Sequence, residues 1–417
     1  MFDFMFLRLF LCEVLDPHGN YFDTSTGTLW VVGNVCPHAY RKRYDIKTVV
    51  FHTSVNCVGE RAFYECHIDT LHLPDTLVSI GDYAFGGCRD ITALHLPDAL
   101  KTIGTGAFFG CVGIVELHLP EALVSIGESV FEGCSSIVVL NLPDTLVSIG
   151  KSAFESCVGI VGLHLPEGLQ TIGYCAFVGC SGIVDLRLPD TLVSIGDLAF
   201  SGCSGIPVLH LPEGLRTIGI RVFDRCTGIV DLRLPTALET IGKCAFSNCL
   251  GIQTLHVPDG VQQIDDGAFY RCVGIVSIYL PETLGIISEG AVYPRIYSDN
   301  YRTWGSFHGC TNVSIVLAPD NLVQGKTANL SKVFGCPVLS HIGLTSYSSV
   351  PLLRRTFWHP TTYQWCTSYQ HNCVLTVLVS ELRLDRQNDA IAVLPVLAHD
   401  LWLLVIQFVP RHTLGRP

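Results

Sequence analysis

The chain is short of charge. Only 15% of its 417 residues are Asp, Glu, Lys or Arg, and acids outnumber bases 37 to 26, for a net charge of -11. That balance excludes an ordinary nucleic-acid binder, because neutralising phosphates requires clustered Lys and Arg, and the short basic run is limited to Arg41, Lys42 and Arg43. Long apolar runs are also missing. The apolar C-terminal stretch is broken by Pro395, His399 and Asp400, so no segment reads as a membrane span. Met1 to Leu15 is apolar, yet Asp3 stands where a leader is basic, Arg8 interrupts the run and no small-residue cleavage site is clear. An amphipathic cap over residues 1–28 is the expectation, with a cytoplasmic location. The sequence has no Gly-x-Ser-x-Gly elbow, phosphate-cradling Gly-rich loop or His-Glu-x-x-His pair. No catalytic residue, metal site or cofactor is therefore expected.

What the chain does have is repetition. Pro74, Pro97, Pro120, Pro143, Pro166, Pro189, Pro212, Pro235, Pro258 and Pro281 follow one another at a step of 23 residues. Each copy reads roughly I-x-x-L-x-L-P-(D/E)-x-L-x-(S/T)-I-G-x-x-A-F-x-x-C, and self-similarity at this period marks a solenoid whose turns stack on their neighbours. Leu94-His95-Leu96 alternates with the period of two that turns both leucines inward, and Pro97 ends the strand because it has no N–H. Leu100 and Ile103 anchor a second extended piece. Gly104 is expected to turn the chain with positive φ, and Ala107-Phe108-x-x-Cys111 fits one helical turn.

The frame extends backwards through Val49, Phe51, Val55, Val58, Ala62, Phe63 and Cys66, with one residue missing after Cys66, and then to Ala39 and Tyr40. The array is thus expected over 29–344, with regular repeats at 67–287. After Pro281 the next matching proline is Pro319, one repeat plus an insertion at 293–307 that carries Tyr293, Tyr297, Tyr301, Arg302 and Trp304. Residues 345–417 follow a different logic: an aromatic-rich stretch, an apolar segment and a helix near 399–409.

Leu-x-Leu-Pro, Ile-Gly and Ala-Phe-x-x-Cys recur together, and in this the chain resembles the BspA-type leucine-rich repeat over about residues 46–281. The resemblance implies a β-rich solenoid, a leucine-rich-repeat superhelix used for adhesion or protein interaction. Its 23-residue turns would combine short strands with one helical turn, followed by a small, mainly α C-terminal segment. Leu397 to Val409 resembles more weakly the opening helix of an F-box, although Ala398 replaces the usual proline and too few residues follow for the remaining helices.

The chain has 19 cysteines, nine of them in one column from Cys88 to Cys272. Stacked side chains in a column lie parallel, which suits reduced core thiols better than disulfides. Cys175 and Cys244 are extra, at a spacing unusual for zinc. His359, Cys366, His371 and Cys373 also match no standard zinc pattern. The outward column of the first strand runs His72, His95, His118, Asn141, His164, Arg187, His210, Arg233, His256, Tyr279. It reads either as a metal-binding or pH-responsive stripe or as a surface residue copied by duplication. The acidic column after the proline, from Asp75 to Glu282, is either a calcium stripe or a set of side-chain bonds within the turn. Two residues before the histidine column the chain varies freely, and Asp185 with Arg187 and Asp231 with Arg233 form a mixed-charge patch on the expected concave side.

The expected function is a monomeric, non-enzymatic scaffold that binds a protein partner. Its contact residues are His95, His118, Asp185, Arg187, His210, Asp231, Arg233 and His256 on the strands, together with the tyrosines, Arg302 and Trp304 of the insertion. A ubiquitin-ligase substrate adaptor docking through its C-terminal helix, and a cell-surface adhesion protein, are the alternatives.

Overall fold

The computed structural model describes residues 14–15, 19–281, 283–287, 305–313, 315–318 and 338–340. The chain divides into two compact units, Met1–His341 and Ile342–Pro417. The second unit, and with it the expected mainly α segment at 345–417, lies outside the described residues.

The first unit opens with an antiparallel meander, Val14–Leu15 against Tyr21–Asp23 and Tyr21–Asp23 against Thr28–Val31. From Thr28–Val31 onward every pairing among the described residues is parallel and joins one copy to the next. Two rows of short strands result. The first contains Ala93–His95, Glu116–His118 and Val139–Leu140, with Leu94 beside Leu117 and Leu117 beside Leu140. The second contains Ser125–Ile126, Ser148–Ile149 and Thr171–Ile172, again in register. An unbroken period of 23 places like beside like, so each leucine and isoleucine column forms a ridge that is mostly buried, with Leu186, Leu232 and Ile103 partly so.

The third side of each copy departs from the expected helical turn. Across Gly81–Cys88 the N–H groups alternate in direction. Those of Ala84, Gly86 and Cys88 close tight turns onto Gly81, Tyr83 and Phe85 (3.2, 3.0 and 3.1 Å), while those of Tyr83, Phe85 and Gly87 donate to Thr105, Ala107 and Phe109 of the next copy (2.9, 2.8 and 2.6 Å). Tyr83 and Gly87 have left-handed φ of 52° and 75°. No helix accommodates such residues every fourth position, and its i→i−4 bonds are replaced by bonds between copies. The segment is a rail of linked turns.

Along this rail the phenylalanines stack. Twelve fully buried rings, from Tyr40 to Phe307, follow one another. Tyr40 lies 5.0 Å from Phe63 with planes 18° apart, and Phe108 lies 5.7 Å from Phe131 with planes 9° apart. The stack survives the insertion: Phe307 lies 5.1 Å from Phe269 at 9°, and Ile315–Ala318 pairs in parallel with Ser277–Tyr279. The turns on either side of the insertion therefore keep the spacing of the array.

Two glycine columns make that spacing possible. Gly104 is not left-handed, contrary to the expectation for the Ile-Gly position; a Cβ there would lie 2.5 Å from the backbone of Gly81 and Asp82. The second column, unremarked in the sequence consensus, precedes the buried isoleucine. A Cβ on Gly182 would come within 2.3 Å of the Val158 carbonyl, and Asn312, which holds the column at the end of the array, donates its Nδ2 to the Val273 carbonyl at 2.7 Å.

Gly182→Ala is expected to lose about 1–3 kcal/mol through backbone displacement, whereas Gly214→Ala, whose nearest neighbour is 4.0 Å away, is expected to be close to neutral. Denaturant midpoints of the two variants measured together check this, and equal midpoints would count against close packing at Gly182.

Candidate interaction surface

Because side chains alternate along the first strands, the central residue faces the core and its neighbours face out; Glu116, Leu117 and His118 are exposed, buried and exposed, whereas Leu186 and Leu232 are only partly buried. The histidine column is therefore one row on the surface. Its members meet different neighbours. His95 and His118 stack at 4.3 Å with planes 17° apart, and His256 stacks on Tyr279 at 4.2 Å and 11°. Partial burial under that ring holds the His256 imidazole below its ordinary pKa.

The charged residues form the same cluster twice, 46 residues apart. In the first, His164 Nε2 lies 2.8 Å from Asp185 Oδ2 and Arg187 Nε lies 3.5 Å from Asp185 Oδ1. In the second, His210 Nε2 lies 3.8 Å from Asp231 Oδ2 and Arg233 lies 3.4 Å from the same oxygen. The register explains both: His164 sits beside Arg187 and His210 beside Arg233, with each aspartate two residues back on the arginine strand. The His–Asp contact is closer in the first cluster because Gly162, opposite Asp185, has no side chain, while Val208 stands opposite Asp231. The His164 hydrogen bond, with Arg187 beside it, holds the Asp185 carboxyl below the usual carboxylate range. Both guanidinium groups remain about 70% exposed, at 71% and 68%, so each keeps donors for a partner.

A further row was missed in the sequence. Val115, Val138, Val161, Val184 and Val230 precede successive first strands and are 45% to 56% exposed, with Pro207 exposed in the sixth place. The row spans about 24 Å at ~4.8 Å per copy and ends in exposed polar residues, Thr92 and Gln253. A signal for it existed: Ile-Val recurs as a pair, and two adjacent residues cannot both point into a core when a strand begins there.

Of the acidic column, Glu213 alone among the described residues makes a turn bond, and it reaches Thr236 of the next copy at 3.1 Å rather than closing its own turn. The hydroxyls one place further on also link copies rather than closing a turn. Thr76, Thr145 and Thr191 each bridge two carbonyls of the preceding copy. No group of three His, Cys, Asp or Glu able to hold a metal ion occurs among the described residues. Tyr293, Tyr297, Tyr301, Arg302 and Trp304 lie outside those residues, as do His359, Cys366, His371, Cys373 and the helix expected near Leu397. No helix among the described residues is long and apolar enough to cross a membrane.

The fifteen described cysteines are free. Those of the column are buried, and each thiol donates to the phenylalanine carbonyl of the copy before it: Cys111 to Phe85 at 3.1 Å, Cys180 to Phe154 at 3.1 Å. Burial pushes the Cys66 and Cys180 thiols up to about 12.

A model of the BspA-type leucine-rich repeat region matches residues 34–161, 125–250 and 176–296. That is more than half of the chain, and the protein belongs to this family. Among solved structures, a leucine-rich repeat protein from Bacteroides ovatus is 19% identical, with a TM-score of 0.52 over 78% of this chain and 97% of that one. The pneumococcal vaccine antigen PcpA is 13% identical, with a TM-score of 0.49 over 79% and 98%. A leucine rich cell surface protein from Faecalibacterium prausnitzii is 18% identical, with a TM-score of 0.40 over 73% and 94%. No curated protein matches the chain. The Bacteroides likeness is one of fold.

The thiols carry a pH dependence. An unfolded cysteine ionises near 8.5, the folded Cys66 and Cys180 only at about 12. A raised folded pKa gives stability that is complete below the unfolded value and is lost as pH rises towards the folded one. Denaturant midpoints are expected to hold from pH 6 to 8 and to fall steadily from about pH 8.5 upward, with a shallower fall in Cys180→Ala. The same burial predicts that Cys36, which is exposed, is alkylated by iodoacetamide while the column from Cys88 to Cys272 is spared until the fold opens, as read by peptide mapping.

Proposed function

We propose that the protein is a non-enzymatic binding array whose first-strand face receives a protein partner, and that the duplicated His–Asp–Arg cluster supports this reading most strongly. Core columns of the array hold their residue from copy to copy, whereas this face brings together exposed arginines anchored by carboxylates, stacked imidazoles and a bounded apolar row. Arginine and aromatic side chains carry much of the energy of protein interfaces, and a contiguous apolar patch rimmed by polar residues marks interaction surfaces. The insertion at 293–307, rich in Tyr and with Arg302 and Trp304, adds a second contact. The partner is a protein and the array acts as a monomer. Fifteen free thiols suit a reducing compartment, which favours the cytoplasm. The family's use in adhesion favours the surface as the second reading, and a glycan on either of the Asn-x-Ser motifs at Asn312 and Asn329 would decide for it. The helix near Leu397 serves as a dock in the ligase-adaptor reading.

Affinity capture from the native cell tests all three. With Arg187→Glu and Arg233→Glu combined, the captured partner is expected to fall at least about tenfold, the effect of losing one good anchor, while Lys151→Glu on the turn rail leaves it unchanged. Full capture by the double variant would refute the strand face as receptor. A chain ending at Leu384 separates the adaptor reading, since ligase components would leave with the C-terminal helix.

A further inference from the structure

At one junction both rows of strands stop. Among the described residues, Asp185–Arg187 pairs with Gly162–His164 but not with Val208–His210, and Ser194–Ile195 pairs with Thr171–Ile172 but not with Thr217–Ile218. Other interruptions take one row only. The first row stops between Thr70–His72 and Ala93–His95 and between Asp231–Arg233 and Thr254–His256, and the second between Thr102–Ile103 and Ser125–Ile126. In each of these the companion row continues.

The break in the first row has a cause in the sequence. The residue before a first strand donates its N–H to the copy behind, as Val184 does to Val161 at 2.9 Å and Val230 to Pro207 at 2.8 Å. Pro207 occupies that place and has no N–H to give. In the second row the glycine donates backward, Gly196 to Ile172 at 2.8 Å and Gly242 to Ile218 at 2.9 Å. Among the described residues Gly219 has no such backward bond; the Ile220 N–H beside it goes to Asp197 Oδ1 at 2.7 Å, an arrangement that Thr105 and Asp82 share beside a Gly104 that keeps its bond to Ile80.

The turn rail crosses the same junction intact. Leu198, Phe200 and Gly202 donate to Ile220, Val222 and Asp224 at 2.9, 3.0 and 2.7 Å. Phe200 stacks on Phe223 at 5.6 Å and 6°, and the Cys226 thiol reaches the Phe200 carbonyl at 3.1 Å. A junction hydrogen-bonded along the rail, packed but without ladder pairing along the two strand rows, is softest to rotation about the bonded edge.

We propose that this junction is a hinge, with the rail from Leu198 to Gly202 as its pin and the two strand rows as its opening edges. The array is two stiff blocks, each carrying one His–Asp–Arg cluster, and rotation about the pin changes the separation of Arg187 from Arg233. A ligand that touches both blocks would set the angle. The hinge rests on the backbone bonding alone and stands whether or not the strand face receives a partner.

Hydrogen exchange followed by mass spectrometry on the full chain tests it. Amides of Val208–His210 and of residues 216–219 are expected to exchange at least about tenfold faster than those of Gly162–His164 and residues 170–173, where both rows are continuous, while rail amides 198–202 stay as slow as 175–179. Pro207→Val restores the missing donor and is expected to slow exchange at 208–210 without changing the rail. Equal protection at the two junctions in the wild-type chain would overturn the hinge even if the variant fails to fold, and an unaltered rate at 208–210 in a folded Pro207→Val chain would overturn the role of Pro207.

Discussion

The constraint from which the rest of the array derives is the close approach of one turn to the next. Short strands of two or three residues cannot hold themselves, so each copy gains its order from its neighbours. The approach is set from two sides. Stacked rings keep the rail at a near-constant step, 5.3 Å from Phe177 to Phe200 and 5.4 Å from Phe246 to Phe269. Glycines such as Gly104 and Gly182 remove the atoms that would force the backbones apart. Between these limits the buried thiols fit as small side chains that can still donate, and each finds a carbonyl that already accepts its own copy's cysteine N–H. A column of alanine would fill similar space and leave that second bond unmade.

Much of this was legible in the residues. The 23-residue step, the inward leucines and the ending of each first strand at proline follow from period and from the chemistry of proline, and the structure has them. The reach of the frame was legible too, since Tyr40 and Phe307 take ring positions that a shifted consensus assigns to them. The turn rail was not. Ala-Phe-x-x-Cys has helical spacing, and nothing in a spacing reveals that Ser152, Arg221 and Cys244 adopt left-handed φ near 50°. Those conformations follow from bonds to the adjacent copy, a tertiary cause that local propensity does not contain. For the same reason Gly104 was assigned a turn when its role is to let another turn pass.

At the surface the balance reverses. Column arithmetic placed the histidines and the Asp and Arg residues in one outward face, but the contacts within the face depend on what stands opposite. Gly162 admits a close His164–Asp185 bond, whereas the equivalent His–Asp contact opposite Val208 is looser. Two copies of one motif thus differ through a neighbour 23 residues away. The exposed valines give no signal singly, since valine suits a core; only the pairing with a buried isoleucine reveals their outward direction.

The alternating bonds of the rail carry a last consequence. Along the rail the N–H groups donate forward, as Phe85 does to Ala107, while in the second strand row they donate backward, as Gly104 does to Ile80. The two rows of peptide dipoles oppose each other. An α-helix accumulates partial charge at its ends because its dipoles align; here the sum along the axis largely cancels, as it does within sheets. Adding copies therefore adds less to the partial charge at either end of the array than lengthening a helix adds to its ends.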